Sequence, residues 1–190
     1  MKRYIRAAIC LVYSIIKFCL IKLFHMHGFK FTPLNLVSPL TEIEIGKKAK
    51  LKLGKMVRMR SGSKVKVRNG AEVQIGENTS LNYGCMIVSH EKIIIGKDVQ
   101  FGPNVLIYDH DHDFRKKNGL KDLKYKTSKI EIGDNVWIGA NTIILKGSKI
   151  GNNCVIGAGS VIKGKFEDNT VIVQRRETQI LYSQRKYCKR

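Results

Sequence analysis

The sequence predicts an all-β solenoid of the β-helix type, preceded by an N-terminal amphipathic helix and interrupted by one protruding loop. Three observations predict it. Isoleucine recurs at a strict interval of six at Ile132, Ile138, Ile144, Ile150, Ile156 and Ile162. Asparagine or glycine (Asn135, Asn141, Gly147, Asn153, Gly159) then stands immediately before a small side chain (Val136, Thr142, Ser148, Cys154, Ser160) in each unit. The period breaks over a polar, charged and aperiodic stretch from Tyr108 to Lys129.

Residues 1–40 are expected to form a helix and a linker. YIRAAICLVYSIIKFCLIKLF (4–24) is strongly apolar, but Arg6, Lys17 and Lys22 interrupt it and leave Ala7 to Ile16 as its longest clean run. That is short of the roughly 20 residues of a membrane span. On a helix Lys2, Arg3, Arg6, Tyr13 and Lys17 project within about one third of the circumference. This is the pattern of a helix lying in a membrane surface with its basic side toward the headgroups. A helix packed on its own domain or in an oligomer, and a signal anchor or true span, are the alternatives.

The solenoid is expected over 41–163. A pure period of six fits neither a helix at 3.6 nor a strand at 2, and hexapeptide units belong to β-helices. Each unit supplies one short flat side and one corner, so the isoleucine points inward and contributes about 1.5 to 3 kcal/mol by burial. The Asn and Gly positions match corners that need φ > 0. Upstream the units are looser: LGKMVR from 53, VRNGAE from 67, IGENTS from 75, LNYGCM from 81, IGKDVQ from 95 and FGPNVL from 101. Their slips in phase are read as longer corners. The stretch 108–129 is a projecting loop, the place on a rigid scaffold where function concentrates.

Residues 164–190 read as a basic tail. The formal charge of +20 arises mainly from Lys2 to Lys30, Lys47 to Arg68 and Lys163 to Arg190. Such an excess favours anionic partners: a membrane face, cofactor phosphates or nucleic acid. Nucleic acid is disfavoured, because zinc-finger spacing, RNP-like aromatic motifs and a helix-turn-helix pattern are all missing from the sequence. The five cysteines are odd in number and scattered, which suits a reduced cytoplasm. A cytoplasmic location, peripheral on the inner membrane face, is the expectation.

FGPNVLIYDHDHDF (101–114), IEIGDNVWIGAN (130–141) and IGNNCVIGAGSVI (150–162) resemble the hexapeptide-repeat acyl-CoA O-acetyltransferases. The likeness is to the galactoside, maltose and nodulation-factor group and its polysaccharide-modifying neighbours. It implies a left-handed parallel β-helix, a homotrimer with active sites between subunits, acetyl-CoA as cosubstrate, no metal, and a saccharide acceptor, which the membrane-surface reading of Lys2 to Phe24 extends to a lipid-linked saccharide. His110 matches the histidine that takes the proton from the acceptor hydroxyl. Asn82 matches an acceptor-contacting asparagine, whereas His90 stands where the galactoside enzymes carry an acidic residue. Trp137, Gly139, Ala140, Ala158 and Gly159 match the acyl-CoA groove. Lys163, Arg175 and Arg176 are candidates for its phosphates, although VIVQRRETQI departs from the family's usual ending.

The chemistry supports that assignment. An alcohol attacks a thioester slowly at neutral pH unless a base is aligned with it, and imidazole is the side chain suited to that task. Asp109, Asp111 and His112 flank His110 as candidate acceptor contacts; Asp109 and Asp111 are also its candidate tautomer partners. Adjacent strand residues point to opposite faces, so neither Asp is assured of that role. Cys85 falls in an inward slot and reads as structural rather than nucleophilic. Two other functions compete. A zinc hydratase similar to the γ-class carbonic anhydrases would use His90, His110 and His112 as ligands, and a membrane-associated scaffold would use none of them for catalysis.

Overall fold

A computed structural model describes residues 2–174. Its core is a left-handed parallel β-helix in which the chain passes in turn through three parallel sheets. The first sheet has seven strands, from Phe29–Lys30 to Lys165–Phe166; the second has seven, from Leu36–Val37 to Val171–Ile172. The third has six, from Glu42–Ile45 to Val161–Ile162. Inward residues stack coil on coil: Ile93 on Ile130, Ile107 on Ile144, and Phe101 on Ile138 on Ile156. All of these are buried. Strand pairing therefore carries the solenoid beyond the expected limits of 41 and 163, back to Phe29 and on to Ile172.

Corner geometry follows the Asn and Gly pattern. Asn135, Asn141, Gly147, Asn153 and Gly159 all have positive φ, as do Met56, Asn78, Gly84, Asp98 and Asn104 upstream. The expectation of longer upstream corners was wrong. Corners 46–49, 54–57 and 60–63 each have four residues, as does 151–154 in the regular region. The extra length lies in the sides: Lys50–Leu53 and Lys64–Val67 are four-residue strands where Lys149–Ile150 has two. Two added residues preserve in–out alternation. Leu51 and Leu53 thus both reach the core, and the lower coils are wider than the upper ones.

Helix α1 (Lys2–Phe24) closes the N-terminal end of the solenoid. Phe18 is buried edge-on to Phe29 and Phe31, with ring centroids 5.3 and 5.1 Å away. Buried Ser14 Oγ accepts from Val37 N at 2.7 Å and donates to Cys10 O. Tyr13 Oη donates to Pro39 O, Lys17 Nζ to Thr41 O, and Lys22 Nζ to Phe29 O. Here the expected orientation is reversed. The Tyr13–Lys17 stripe faces the protein's own end, where strand carbonyls lack a neighbour below, while Ile5, Ile9, Val12, Ile16, Leu20 and Leu23 are exposed. Open carbonyls at a solenoid end need donors, and the lysines supply them.

Candidate active site

The corners leading from the third sheet to the first stack into one column: 46–49, 68–71, 90–91 and then the inserted segment. Within that insertion His110–His112 pairs antiparallel with Tyr125–Thr127, so the expected loop is a β-hairpin capped by a short 3₁₀ turn at Gly119–Asp122. The corner at His90–Glu91 has no left-handed residue. A carboxylate from the next coil closes it instead. Asp109, 0% exposed, accepts from Ser89 Oγ at 2.6 Å, His90 N at 2.7 Å and Glu91 N at 2.9 Å.

The same carboxylate reaches His110. Asp109 Oδ1 lies 3.3 Å from His110 Nδ1. A carboxylate only accepts, so in the neutral imidazole Nδ1 carries the proton and Nε2 keeps its lone pair. Asp109 is therefore a positioning residue, and its expected contact with an acceptor is corrected: a fully buried group cannot touch one. Asp111 is corrected as well. Strand alternation turns it to the far side of the hairpin, where it pairs with Lys146 at 2.9 Å.

His90, His110 and His112 converge, and Tyr125 joins them. The His90 ring centroid is 4.0 Å from that of His110 and 4.1 Å from that of Tyr125, and His112 lies 4.8 Å from Tyr125. Tyr125 was not singled out by sequence reasoning. Its signal is the alternation in YKT opposite HDH, legible only once the insertion is read as a hairpin. Together these residues form the upper wall of an open basin of about 690 Å³, whose lower wall includes Glu44, Arg68 and Asn69. The rings meet tilted by 41 to 46°, with His110 edge-on to Tyr125 at 83°, and among the described residues no group of three or more His, Cys, Asp or Glu is arranged to hold a metal ion.

Burial, together with the neighbouring His110, holds the His90 imidazole down to about 4. Its folded pKa is thus below the ordinary 6.5. The unfolded chain binds the extra proton first, so His90 favours folding fully above about 6.5 and progressively less as pH falls toward 4. Thermal unfolding should accordingly show a midpoint that falls between pH 6.5 and 4.5 less steeply in His90→Asn than in the parent. Parallel curves would refute the assignment. Burial also pushes the Cys85 thiol up, and its Sγ contacts Gly102 O at 3.2 Å, consistent with a structural role.

The cofactor candidates lie elsewhere. Corners from the second sheet to the third stack Asn82, Gly102, Gly139 and Gly157 in register, with Ala140 and Ala158 beside them. A Cβ on Gly102 would stand 2.5 Å from Ala140 N, and one on Gly139 would meet the Ala158 backbone. Close coil stacking therefore requires these glycines and leaves the column bare of bulky side chains, where the groove is expected. Trp137, 59% exposed, stands beside it on the second sheet. Lys163 is exposed at the third-to-first corner, above the hairpin. Within one chain the groove and His110 lie at two different corners, separated by the third sheet. Arg175 and Arg176 lie outside the described residues.

Residues 129–164 match the family described as bacterial transferase hexapeptide (six repeats). The chain is 38% identical over 96 residues to the galactoside O-acetyltransferase of Lactococcus lactis, covering 50% of this chain and 46% of that protein. It is 36% identical over 104 residues to WbbJ of Escherichia coli, provisionally named a lipopolysaccharide biosynthesis O-acetyl transferase, covering 50% and 53%. The chain thus spans about half the length of the curated relatives it matches. Among solved structures, a hexapeptide-repeat acetyltransferase from Vibrio cholerae complexed with acetyl coenzyme A superposes with a TM-score of 0.50. The two are 25% identical, over 67% of this chain and 64% of that one. An N-acyltransferase from Bacillus cereus at 19% identity shares the fold, with a TM-score of 0.65 over 80% and 81%.

Proposed function

We propose that this hexapeptide-repeat chain is an O-acetyltransferase that moves an acetyl group from acetyl-CoA to a saccharide hydroxyl, as a homotrimer, in surface polysaccharide biosynthesis. The observation that carries the reading is the Asp109–His110 pair at the head of an open basin, with Nδ1 held by the carboxylate. His110 takes the acceptor proton while the acceptor oxygen attacks the thioester carbonyl. The tetrahedral intermediate then expels the CoA sulfur, which recovers the proton from the imidazolium. The products are the O-acetyl ester and CoA thiol. Trp137 and the bare Gly139–Ala158 groove receive the pantetheine arm, with Lys163 near the phosphates.

Two observations support the trimer. The base and the groove sit at different corners of one chain, so they meet when one copy's third-to-first corner adjoins the next copy's second-to-third corner. The outer face between those corners is also apolar in its upper half, through Met86, Leu106, Ile143, Leu145 and Val161. Outer residues of the first sheet are instead largely charged, as with Lys50, Lys52, Glu72 and Glu131. Light scattering should return three times the 21.6 kDa chain mass, and an active monomer would end the shared-site reading.

The acetyl transfer itself is tested with radiolabelled acetyl-CoA and a panel of soluble glycosides, scored for an alkali-labile sugar ester. Absence of any ester, with free CoA not released, would remove the proposal. A peripheral position on the inner face of the membrane belongs to the same reading. It is supported by the unpaired Cys10, Cys19, Cys85 and Cys154 and by the cytoplasmic supply of the donor.

A further inference from the structure

On α1, every residue from Ala7 onward that is exposed is apolar, and the polar ones turn inward. Ile5, Ile9, Val12, Ile16, Leu20 and Leu23 recur at intervals of three and four, forming one uninterrupted stripe along the helix. Phe24 at the helix end and Met26 beyond it extend the stripe, at 79% and 63% exposure. An apolar stripe this long on a surface helix marks a partner.

Charge says which partner. Residues 1–68 hold sixteen Lys and Arg against Glu42 and Glu44 alone. Both glutamates are already engaged, Glu42 by Lys64 and Lys66 and Glu44 by Lys66 and Arg68. Lys30, Lys47, Lys48, Lys50 and Lys52 are exposed at the same end of the solenoid as α1. A second copy of this end would bring like charges together, whereas an anionic bilayer takes both the apolar stripe and the basic rim.

The basin points to the same place. Its lower wall, at Ile45, Gly46 and Asn69, also lines a cavity bounded by Phe24, His25, Met26 and His27 at the end of α1. The two cavities thus adjoin across one wall of the corner column, one under His110 and the other at the helix. On the third sheet, Glu44, Lys66, Val88 and Tyr108 stand in register over four successive coils. Three coil spacings of about 4.8 Å make about 14 Å, the span of two or three sugar rings. The Arg68 guanidinium and the Asn69 amide nitrogen along the column offer donors to hydroxyls.

We propose that the acceptor is a lipid-linked saccharide presented at an anionic membrane surface: its lipid enters the bilayer beside α1 and its sugar lies along the corner column with a hydroxyl at His110. The proposal rests on the acetyltransferase reading above. Its first test is sedimentation of the full chain with vesicles of phosphatidylglycerol and phosphatidylcholine. The parent should bind, and Ile9→Ser/Val12→Ser/Ile16→Ser should bind at least tenfold less, with unchanged thermal midpoint, oligomeric mass and acetylation of soluble glycosides. Undiminished binding by the triple variant, or a change in its oligomeric mass showing the stripe to be a subunit contact, would overturn the proposal.

The second test adds radiolabelled acetyl-CoA and the full chain to membranes from its native cells. Label should enter the chloroform–methanol extract and move to the aqueous phase after mild acid, which splits glycosyl phosphates. Label confined to water-soluble sugars would overturn the lipid-linked acceptor and leave acetyl transfer standing. No transfer to either would overturn acetyl transfer and this proposal with it.

Discussion

Replacement of His110 by asparagine is expected to lower kcat for acetyl transfer by about 10² to 10⁴, with the KM for acetyl-CoA unchanged. The direction follows from what the imidazole supplies. An unassisted sugar hydroxyl keeps its proton at neutral pH, and His110 Nε2 is the lone pair that the Asp109 contact sets free at the basin. Asparagine fills part of the space and still donates toward Asp109, but it cannot accept and return a proton. The proposed acyl-CoA groove lies at another corner, so donor binding has no reason to change. Steady-state kinetics with both substrates varied is the measurement. A His110→Asn protein with full kcat would leave the β-helix intact as a scaffold and end the general-base assignment.

The second large effect falls on Asp109. Its substitution by alanine should destabilise the protein by about 3 to 5 kcal/mol, because it strands the partly buried amides of His90 and Glu91 and leaves Ser89 Oγ only the longer contact to Glu72 O at 3.4 Å. Ser89 Oγ, His90 N and Glu91 N all point at this carboxylate. The corner they form has no left-handed residue to close it by backbone geometry. Urea unfolding should show a lower midpoint with an unchanged slope. Asp109→Asn is the gentler probe. It keeps the shape and one acceptor, so the protein should fold and lose kcat rather than KM. In the double variant with His110→Asn the loss should be no greater than in His110→Asn alone, since a positioning residue has nothing left to position. Additive losses would mean that Asp109 acts on activity through stability only.

These two residues also show how the sequence and the fold divide the information. His110 was legible because the hexapeptide units around it resemble a known family and because a histidine in an aperiodic insertion is conspicuous. His90 and His112 were legible as candidates for the same cleft, one a coil below and one two residues on. The role of Asp109 was not legible. Its bonds span 18 to 20 residues and exist only because one coil stacks on the next in a particular register. Asp111, its equal by spacing, faces Lys146 instead, and nothing in DHDHD distinguishes the two carboxylates.

Helix α1 makes the same point with opposite sign. The segregation of Tyr13 and Lys17 from the isoleucines and leucines was plain in the sequence, but which stripe would face outward was not. A helical wheel has no knowledge of what it lies against. The solenoid end, with open carbonyls at Phe29 and Thr41, attracted the lysines inward and left the apolar stripe to the outside.

What the sequence by itself determined is whatever repeats within a coil: inward isoleucines, left-handed Asn and Gly corners, and the single broad interruption. Burial of one side chain and φ at one corner are decided within six residues, so six residues suffice to read them. What only the tertiary structure decided is whatever depends on contact between coils or between the helix and the coils. That covers the wider lower coils, the Asp109-closed corner, Tyr125 against His90, the outward apolar stripe, and the separation of His110 from the Gly102–Gly139 column. Each of these is fixed by stacking register and by which polar groups an end or a corner leaves unpaired, quantities that no local pattern carries.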